Sequence, residues 1–467
     1  MIPVFPKQIA TKAILLYLVA LSAVTFFFFS YAMNWVYIVM GIAWVVGFFL
    51  LTSFASRRWK SIPNNRFLTY VGLTAFGLRM VWVVFSYIFY TAQTGTPFEF
   101  NAADSIGYWG DSAWLATEDW SFVMDYLFIS RESVSDSGYL LYLTALYKVI
   151  GPNIFVTRVI KCIWSTVTVL LLYNLAKRNI GEEASRIAAV LACFMPNLII
   201  YCGLHLKETE MLFLMVAFLE RSDYLLRSKK YTVWTIAIPV VLLLTLFTFR
   251  TVLGIAGAFA FVSGLVFTTT SVIGRRKRIM LIMWSALAIV AILGGAIRNE
   301  VEALWEDRNS NVELKRLEQS YRGNQWAKYV TGSVMAPMMF VLPFPTMVNV
   351  DEQYNQQIMS GGNYVRNFLG GFVLLAVFSA LFVKKNWRDL SFIGAFVIAY
   401  LGIVSMSGFS NSERFLLPGL PLLLIIAAYG ITLLNARNYR YIKIWYWIVP
   451  IMSIAWAYFK LGSRGLF

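Results

Sequence analysis

Long apolar stretches alternate with short basic turns along most of the chain. Several stretches reach the roughly 20 apolar residues that a helix needs to cross a bilayer, so each predicts a transmembrane helix. The first three spans are expected at 13–33, 35–55 and 67–91. The same pattern predicts about 13 spans in all. The later ones are expected at 154–175, 185–203, 211–226, 232–249, between 250 and 275, and at 279–297, 367–383, 391–407, 416–434 and 444–461.

The composition favours an all-α polytopic membrane protein over a soluble one. Hydrophobic residues make up 59% of the 467 residues and charged residues only 14%. The formal net charge of +16 comes from Lys and Arg residues that cluster between apolar stretches. The positive-inside rule places such residues in cytoplasmic loops. We therefore expect membrane lipids as partners and no nucleic acid.

The first long polar interruption, at 96–137, belongs to a loop that spans 92–137. Basic residues precede the first span and follow the second, so the positive-inside rule places this loop outside the cytoplasm. Its acidic residues outnumber the single Arg131, and they are Asp104, Asp111, Glu118, Asp119, Asp125, Glu132 and Asp136. Asp104, Tyr108, Asp111 and Glu118 recur at a helical spacing, which predicts one face of a short juxtamembrane helix.

Counting spans brings four polar groups to this outer face. They are the acidic loop, the turn that begins at His205, Arg250 and the pair Glu413 and Arg414. A carboxylate beside cationic groups suits the transfer of a group from a lipid-linked phosphate. The carboxylate accepts the proton of the acceptor hydroxyl, and Lys or Arg neutralises the charge that develops on the leaving phosphate. A lipid carrier explains why this chemistry needs a membrane-embedded protein.

Several segments resemble the GT-C superfamily of membrane glycosyltransferases, which use polyprenyl-phosphate-linked sugars on the extracytoplasmic side. ADSIGYWGDSAWLA at 103–116 resembles the first-loop motif of that family. The segments 137–151, 205–214 and 412–430 are similar to later conserved parts of the same family. The subtype that the chain resembles is the protein mannosyltransferase or aminoarabinose transferase type. The resemblance implies a GT-C-like bundle with extracytoplasmic juxtamembrane helices in the first long loop.

The resemblance also implies roles for individual residues. Asp104 is the expected catalytic base. The expected substrate-binding residues are Tyr108, Asp111, Lys207, Glu208, Arg250, Glu413 and Arg414, with Lys207 and the arginines near the donor phosphate. The implied partners are a polyprenyl-phosphate-linked sugar and a glycan, lipid or protein acceptor. No metal ligand set is predicted, although the carboxylates leave a divalent cation as an open alternative.

The chain departs from the family pattern because two additional spans precede the span that leads into the catalytic loop. We interpret 1–66 as an added hairpin, 67–297 as the catalytic module, 298–366 as outer loops and 367–467 as C-terminal helices. Within the third part, the glycines in 351–366 suggest a mobile lid. No Asn-x-Ser/Thr sequon occurs. A bacterial plasma membrane, with the active site on its extracytoplasmic side, is the expected location.

Simpler structural roles compete with the catalytic ones. Asp104 follows two alanines and also suits an N-cap. Lys207 could pair with Glu208, and Glu413 is the expected partner of Arg414. His205 is expected to be a surface histidine. Arg158 and Lys161 are expected either to line the same cavity or to snorkel to the membrane boundary. The three cysteines, Cys162, Cys193 and Cys202, are expected to be buried small hydrophobes.

Two other functions fit parts of the pattern. An O-antigen polymerase or ligase would depend on outer arginine and histidine residues, so it would tolerate Asp104→Asn but not His205→Ala or Arg250→Ala. A lipid-linked oligosaccharide flippase or another transporter would carry ionisable residues buried in the middle of spans. Most charges in this chain lie at span ends, which favours the glycosyltransferase.

Overall fold

A computed structural model describes residues 4–130, 134–228, 232–267, 344–350, 353–385, 387–406, 412–435, 438–462 and 465–466. These residues form helices joined by short turns, with one isolated β-bridge between Ala32 and Val348. Within the described ranges, eight helices are long and apolar enough to cross a membrane, or nine if a bent pair counts as one span. The chain is therefore an all-α, multi-pass membrane protein, as its apolar pattern predicts.

The helices are numbered here in chain order. The first nine are α1 Lys7–Phe27, α2 Trp35–Arg58, α3 Asn64–Thr94, α4 Ala103–Leu115, α5 Trp120–Asp125, α6 Ser137–Ile150, α7 Ile154–Ile180, α8 Glu182–Phe194 and α9 Pro196–Ile200. The others are α10 Glu208–Arg227, α11 Val233–Phe249, α12 Thr251–Phe267, α13 Tyr354–Ile358, α14 Ser360–Phe378, α15 Trp387–Met406, α16 Glu413–Leu416, α17 Leu420–Thr432 and α18 Tyr439–Gly462.

The expected total of about 13 spans stays a prediction. The spans expected at 211–226 and 232–249 correspond to α10 and to the shorter apolar helix α11. The expected span at 279–297 and the polar segment at 298–335 lie outside the described residues. Helix α6 has 14 residues. It is too short to cross a bilayer.

Local sequence sets several helix ends. The side chains of Asn34 and Asn153 accept hydrogen bonds from Val36 N and Val156 N, both at 3.1 Å, and so cap α2 and α7. Such caps satisfy backbone donors that have no partner within the helix. Helix α3 ends at Gly95, whose φ of +76° is a conformation that glycine adopts without steric cost. The chain can therefore turn out of α3 directly into the acidic loop.

Charge differs between the two ends of the bundle. The basic turn between α2 and α3, taken with the helix ends that flank it, exposes Arg57, Arg58, Lys60 and Arg66. Helix α3 runs from this basic region to the acidic loop at its opposite end, where Asp104 lies in the first turn of the next helix. The basic turn and the acidic loop therefore lie at opposite ends of one 31-residue helix.

The span expected at 185–203 is broken rather than continuous. Helices α8 and α9 meet at an angle of 52°, next to Pro196. Proline has no backbone N–H, so the helical hydrogen-bond pattern is interrupted there. The buried Arg79 of α3 occupies the break and donates to the carbonyl oxygens of Ala192 and Cys193 at 3.3 and 3.2 Å. Its Nε also donates to Ser165 Oγ at 2.7 Å. The guanidinium thus satisfies carbonyl groups at the end of α8.

The prediction of a mobile lid at 351–366 is wrong for the described residues 353–366. Most of them form α13 and the buried first turns of α14. A Cβ atom at Gly361 would lie 2.6 Å from Gly41 O, and one at Gly362 would lie 2.5 Å from Asn197 Oδ1. These glycines allow close helix packing, so they are not hinges of a loop. Residues 351–352 lie outside the described ranges.

Candidate functional site

Asp104 lies in the first turn of α4. The N-cap of this helix is Ala102, and it makes no side-chain cap. The alternative role of Asp104 as the N-cap is therefore wrong. Its carboxylate lies near the positive end of the helix dipole, which favours a negative charge. The side chain is 58% exposed, and its Oδ2 forms an ion pair with Arg414 Nη1. The Asp104 carboxylate is thus held by an ion pair and is still accessible to solvent.

Arg414 joins two carboxylates. Besides Asp104, it binds Glu208 Oε1 through its Nε. The Glu208 side chain is fully buried, and the Arg414 side chain is 22% exposed. Hydrogen bonds between charged partners are stronger than neutral ones, and guanidinium geometry suits two acceptors. The expected ion pair of Glu413 with Arg414 is wrong, because Arg414 binds Glu208. The expected pair of Lys207 with Glu208 is also wrong, because Lys207 binds a different carboxylate.

The partner of Lys207 is Asp136, whose Oδ1 forms an ion pair with the ammonium group. Lys207 Nζ also donates to the carbonyl oxygen of Phe249 at 3.1 Å. Its side chain is only 4% exposed. Burial lowers the pKa of Lys207 to about 7, and the positive charge of Arg250 acts in the same direction. Nearby carboxylates oppose this shift, so the amine is held close to its titration point near neutral pH.

Tyr108 lies one turn after Asp104 on α4 and binds the same partner as Lys207. Its hydroxyl donates to Asp136 Oδ2 at 2.9 Å. Its ring packs edge-on against Tyr139 of α6, with 5.0 Å between the ring centroids. Burial raises the pKa of Tyr108 to about 12, so the hydroxyl stays protonated and acts as a donor at neutral pH.

Arg250 follows the end of α11 and lies against the residue after Arg414. Its guanidinium carbon is 4.1 Å from the centroid of the Phe415 ring, which is a cation–π contact. Its Nη1 is buried and has no hydrogen-bond partner among the described residues. Arg250 therefore offers a free donor beside the ion pairs of Arg414. We call Asp104, Tyr108, Asp136, Lys207, Glu208, Arg250 and Arg414 the outer cluster.

Three predicted residues lie elsewhere. Glu413 points into the bundle, where it accepts hydrogen bonds from Asn363 Nδ2 at 3.0 Å and from Asn197 Nδ2. Asp111 is exposed two turns beyond Asp104 on α4. Glu118 follows the end of that helix at Leu115, so the shared helical face expected for it is wrong. Neither Glu413 nor Glu118 therefore contributes its carboxylate to the outer cluster.

A second buried polar layer supports the turn that carries Lys207. His205 is fully buried, and its Nε2 lies 3.0 Å from Tyr147 Oη. Burial holds the pKa of His205 well below its usual range. Lys161 lies 3.3 Å from Glu210 Oε2 and donates to the carbonyl oxygen of Leu206. The expectations of a surface histidine and a snorkelling lysine are wrong. These side chains are packed beneath the turn.

Arg158 is also buried rather than snorkelling, and its Nη2 donates to the carbonyl oxygen of Pro97. The three cysteines are buried free thiols, as expected. Among the described residues, no group of three or more His, Cys, Asp or Glu side chains is placed to hold a metal ion. Sequence reasoning noticed Asp136 only as one more acid of the loop, and it overlooked Arg79.

We compared the chain with protein families, curated proteins and solved structures. No protein-family model and no curated protein matches the chain. The structure of the archaeal oligosaccharyltransferase AglB from Archaeoglobus fulgidus, in complex with an inhibitory peptide and a dolichol-phosphate, is 14% identical. The match covers 87% of this chain and 56% of that one, with a TM-score of 0.48.

A second structure of the Archaeoglobus fulgidus oligosaccharyltransferase, in complex with Zn and sulfate, is also 14% identical. That match covers 85% of this chain and 53% of the other, with a TM-score of 0.47. The chain thus spans little more than half the length of the structures it matches. At TM-scores below 0.5, these matches establish neither a family nor an activity for it.

Proposed function

We propose that the protein is a membrane glycosyltransferase of the GT-C type, which moves a sugar from a polyprenyl phosphate to an acceptor at the extracytoplasmic face. The observation that carries this proposal is the convergence of Asp104, Lys207, Glu208, Arg250 and Arg414 from separate segments of the chain. An accessible carboxylate surrounded by cations, in a membrane protein, suits transfer from a lipid-borne phosphate.

In the proposed reaction, the acceptor hydroxyl oxygen attacks the anomeric carbon of the sugar. Its proton passes to the carboxylate of Asp104, which is exposed enough to be reached. The bond between the anomeric carbon and the phosphate oxygen breaks, and its electron pair stays on the phosphate. Lys207, Arg250 and Arg414 neutralise the charge gained by this leaving group. The free Nη1 donor of Arg250 is the first candidate to bind a phosphate oxygen.

Glu208 has a supporting part in this proposal. Its fully buried carboxylate binds Arg414 through Nε, while Asp104 binds the same guanidinium through Nη1. When Asp104 turns towards the acceptor, Glu208 keeps Arg414 in place. Arg414 can then offer its released N–H groups to the donor phosphate.

The distribution of charge supports the proposed side of the membrane. The exposed basic turn between α2 and α3 lies at one end of α3, and the outer cluster lies beyond the other end. Basic turns of this kind stay in the cytoplasm. The site would therefore face outward, in a bacterial plasma membrane, towards a hydroxyl-bearing glycan, lipid or protein.

The decisive experiment is sugar transfer by the purified protein with a panel of polyprenyl-phosphate sugars. General-base catalysis typically contributes 10²- to 10⁴-fold, so Asp104→Asn is expected to lower turnover by about 100-fold or more. Donor binding should survive, because the cations remain. The matched control is Asp119→Asn, an exposed acid of the same loop outside the outer cluster.

Other outcomes would contradict the proposal in distinct ways. Turnover unchanged in Asp104→Asn would remove Asp104 as the base. Turnover that survives this change but is lost in His205→Ala or Arg250→Ala would favour a polymerase or ligase. Absence of transfer from every donor would favour a transporter. The mid-span Arg79 does not by itself argue for transport, because it donates to protein acceptors at the α8–α9 break.

A further inference from the structure

Asp136 has an unusual backbone conformation. Its φ is +74°, in the left-handed region, where side-chain-bearing residues are uncommon. Asp and Asn tolerate this region better than most residues. Asp136 is also the N-cap of α6, although its side chain makes no cap hydrogen bond to that helix. The carboxylate is therefore free of α6 and binds residues of other segments.

Those partners come from two other segments. Asp136 Oδ1 forms an ion pair with Lys207, on the turn before α10, and Oδ2 accepts from Tyr108, on α4. Next to it, Ser137 Oγ donates to Leu127 O at 2.9 Å, which fixes the start of α6. One carboxylate thus ties the helix that carries Asp104 to the turn that carries Lys207.

The charged groups that act on Lys207 come from five parts of the chain. They are Asp136 at the start of α6, Glu208 of α10, Arg250 after α11, Arg414 of α16 and Asp104 of α4. An ammonium that is almost fully buried needs a nearby opposite charge to remain charged. Asp136 is the carboxylate that forms an ion pair with it.

We propose that Asp136 is a positioning residue for the sugar transfer proposed above, on which this inference rests. It holds the Lys207 ammonium towards the donor phosphate, and it holds the Tyr108 side chain beside Asp104. Asp136 itself faces neither the sugar nor the phosphate, because both of its oxygens are taken by these two partners. Its effect on the reaction therefore passes through Lys207 and Tyr108.

The test is Asp136→Asn, which keeps the shape, tolerates the left-handed backbone and can still accept from Tyr108. The amide then presents its NH₂ group towards Lys207, so the negative charge and the acceptor that faced the ammonium are both lost. Because an opposite charge favours the ammonium, its loss lowers the pKa of Lys207. The alkaline limb of the turnover-against-pH profile should move down by about one pH unit. The Asp119→Asn control should leave the limb in place, and Asp136→Glu should move it back towards the wild type.

A second measurement separates this inference from the proposed function. Competitive labelling of the purified protein with acetic anhydride, read by peptide mass spectrometry across pH, follows the titration of Lys207 without any donor. A midpoint about one pH unit lower in Asp136→Asn supports the inference. An unchanged midpoint overturns it, even if the enzyme transfers sugar. Failure of the wild type to transfer from any donor overturns the proposed function alone.

Tyr108→Phe distinguishes an effect of charge from a loosening of the local structure. It is also the variant to measure if Asp136→Asn does not fold. It removes the hydrogen bond to Asp136 and leaves the carboxylate charge intact. Turnover should fall while the labelling midpoint of Lys207 stays at its wild-type value. A midpoint that falls in Tyr108→Phe as far as in Asp136→Asn would show that loosening, and not charge, moves Lys207, and would overturn the inference.

Discussion

The guanidinium group of Arg414 binds two carboxylates. That of Asp104 is largely exposed, and that of Glu208 is fully buried. The two carboxylates differ in what they can do. Glu208 is fully buried behind the arginine, whereas Asp104 is exposed enough to exchange its partner for an acceptor hydroxyl in the proposed reaction. The proposed division between a supporting and a reacting carboxylate therefore follows from burial, since both are bound by the same cation.

The pKa of Lys207 gives a prediction for donor binding. Only the ammonium form attracts a phosphate, and burial lowers its pKa to about 7. The protonated fraction therefore falls as pH rises above 7, by up to about tenfold per unit. We expect the affinity for a polyprenyl-phosphate sugar to weaken by about tenfold or more from pH 6.5 to 8.5.

Equilibrium binding of the donor across this pH range would measure the effect. The control is Lys207→Met, which should bind weakly and with little pH dependence, because no amine remains to titrate. Wild-type affinity that stays constant to pH 8.5 would contradict the assignment of Lys207 to the phosphate.

The sequence could identify most members of the outer cluster, but not their partners. Span counting assigns Asp104, Lys207 and Arg414 to one face because a membrane allows only two. Pairing depends on contacts between residues 206 and 310 positions apart, as with Arg414 and its two carboxylates. Adjacent charges such as Glu413 and Arg414 suggest a local pair. A short helix instead turns Glu413 towards Asn363 and into the bundle.

Helices α14 and α17 approach each other closely at Gly430. A Cβ atom at Gly430 would overlap the backbone oxygen of Phe372, and a backbone atom cannot move aside as a flexible side chain can. Gly430→Ala should therefore separate the two helices. We expect a loss of about 1–3 kcal/mol, the usual range for overpacking, because no cavity is available to take the methyl group.

Thermal unfolding in detergent would measure this loss as a lower apparent Tm. Gly394→Ala is the matched control, since a Cβ atom there has open space and alanine is the better helix former. The control should keep or raise the Tm. Equal Tm values for both variants would show that α14 and α17 do not depend on this contact.

For α2 and α3, length and polarity predicted the helix boundaries to within three residues. The first span, expected at 13–33, was placed six residues too late at both ends, since α1 is Lys7–Phe27. The break between α8 and α9 was not predictable, because an apolar run of sufficient length reads as one span whether or not it bends. Pro196 was visible in the sequence, but the residue that satisfies the interrupted helix end, Arg79, comes from another helix. The glycines of α14 suggested a hinge for a similar reason, since their packing partner Gly41 is remote in sequence.

Across the whole molecule, the opposite charges at the two ends of α3 predict how the protein sits in the membrane. Basic turns remain in the cytoplasm. Cysteine substitutions at exposed positions test this: Asp119→Cys in the acidic loop and Lys60→Cys in the basic turn. The native cysteines are buried, so they give a low background.

In intact cells, a membrane-impermeant maleimide should label Asp119→Cys. It should label Lys60→Cys only after the membrane is permeabilised, because the positive-inside rule places that turn in the cytoplasm. Labelling of both variants in permeabilised cells is the control for accessibility. The reverse pattern in intact cells would place the outer cluster in the cytoplasm and exclude the proposed orientation.

The break held by Arg79 has a consequence for how this protein would behave under genetic selection. The guanidinium fixes the end of α8, and a short stretch of chain leads from there through His205 to Lys207 and Glu208. Loss of Arg79 would release that stretch and misplace both side chains. A screen for inactive alleles would then recover this membrane-buried arginine together with residues of the proposed reaction, although Arg79 has no part in binding the proposed substrates.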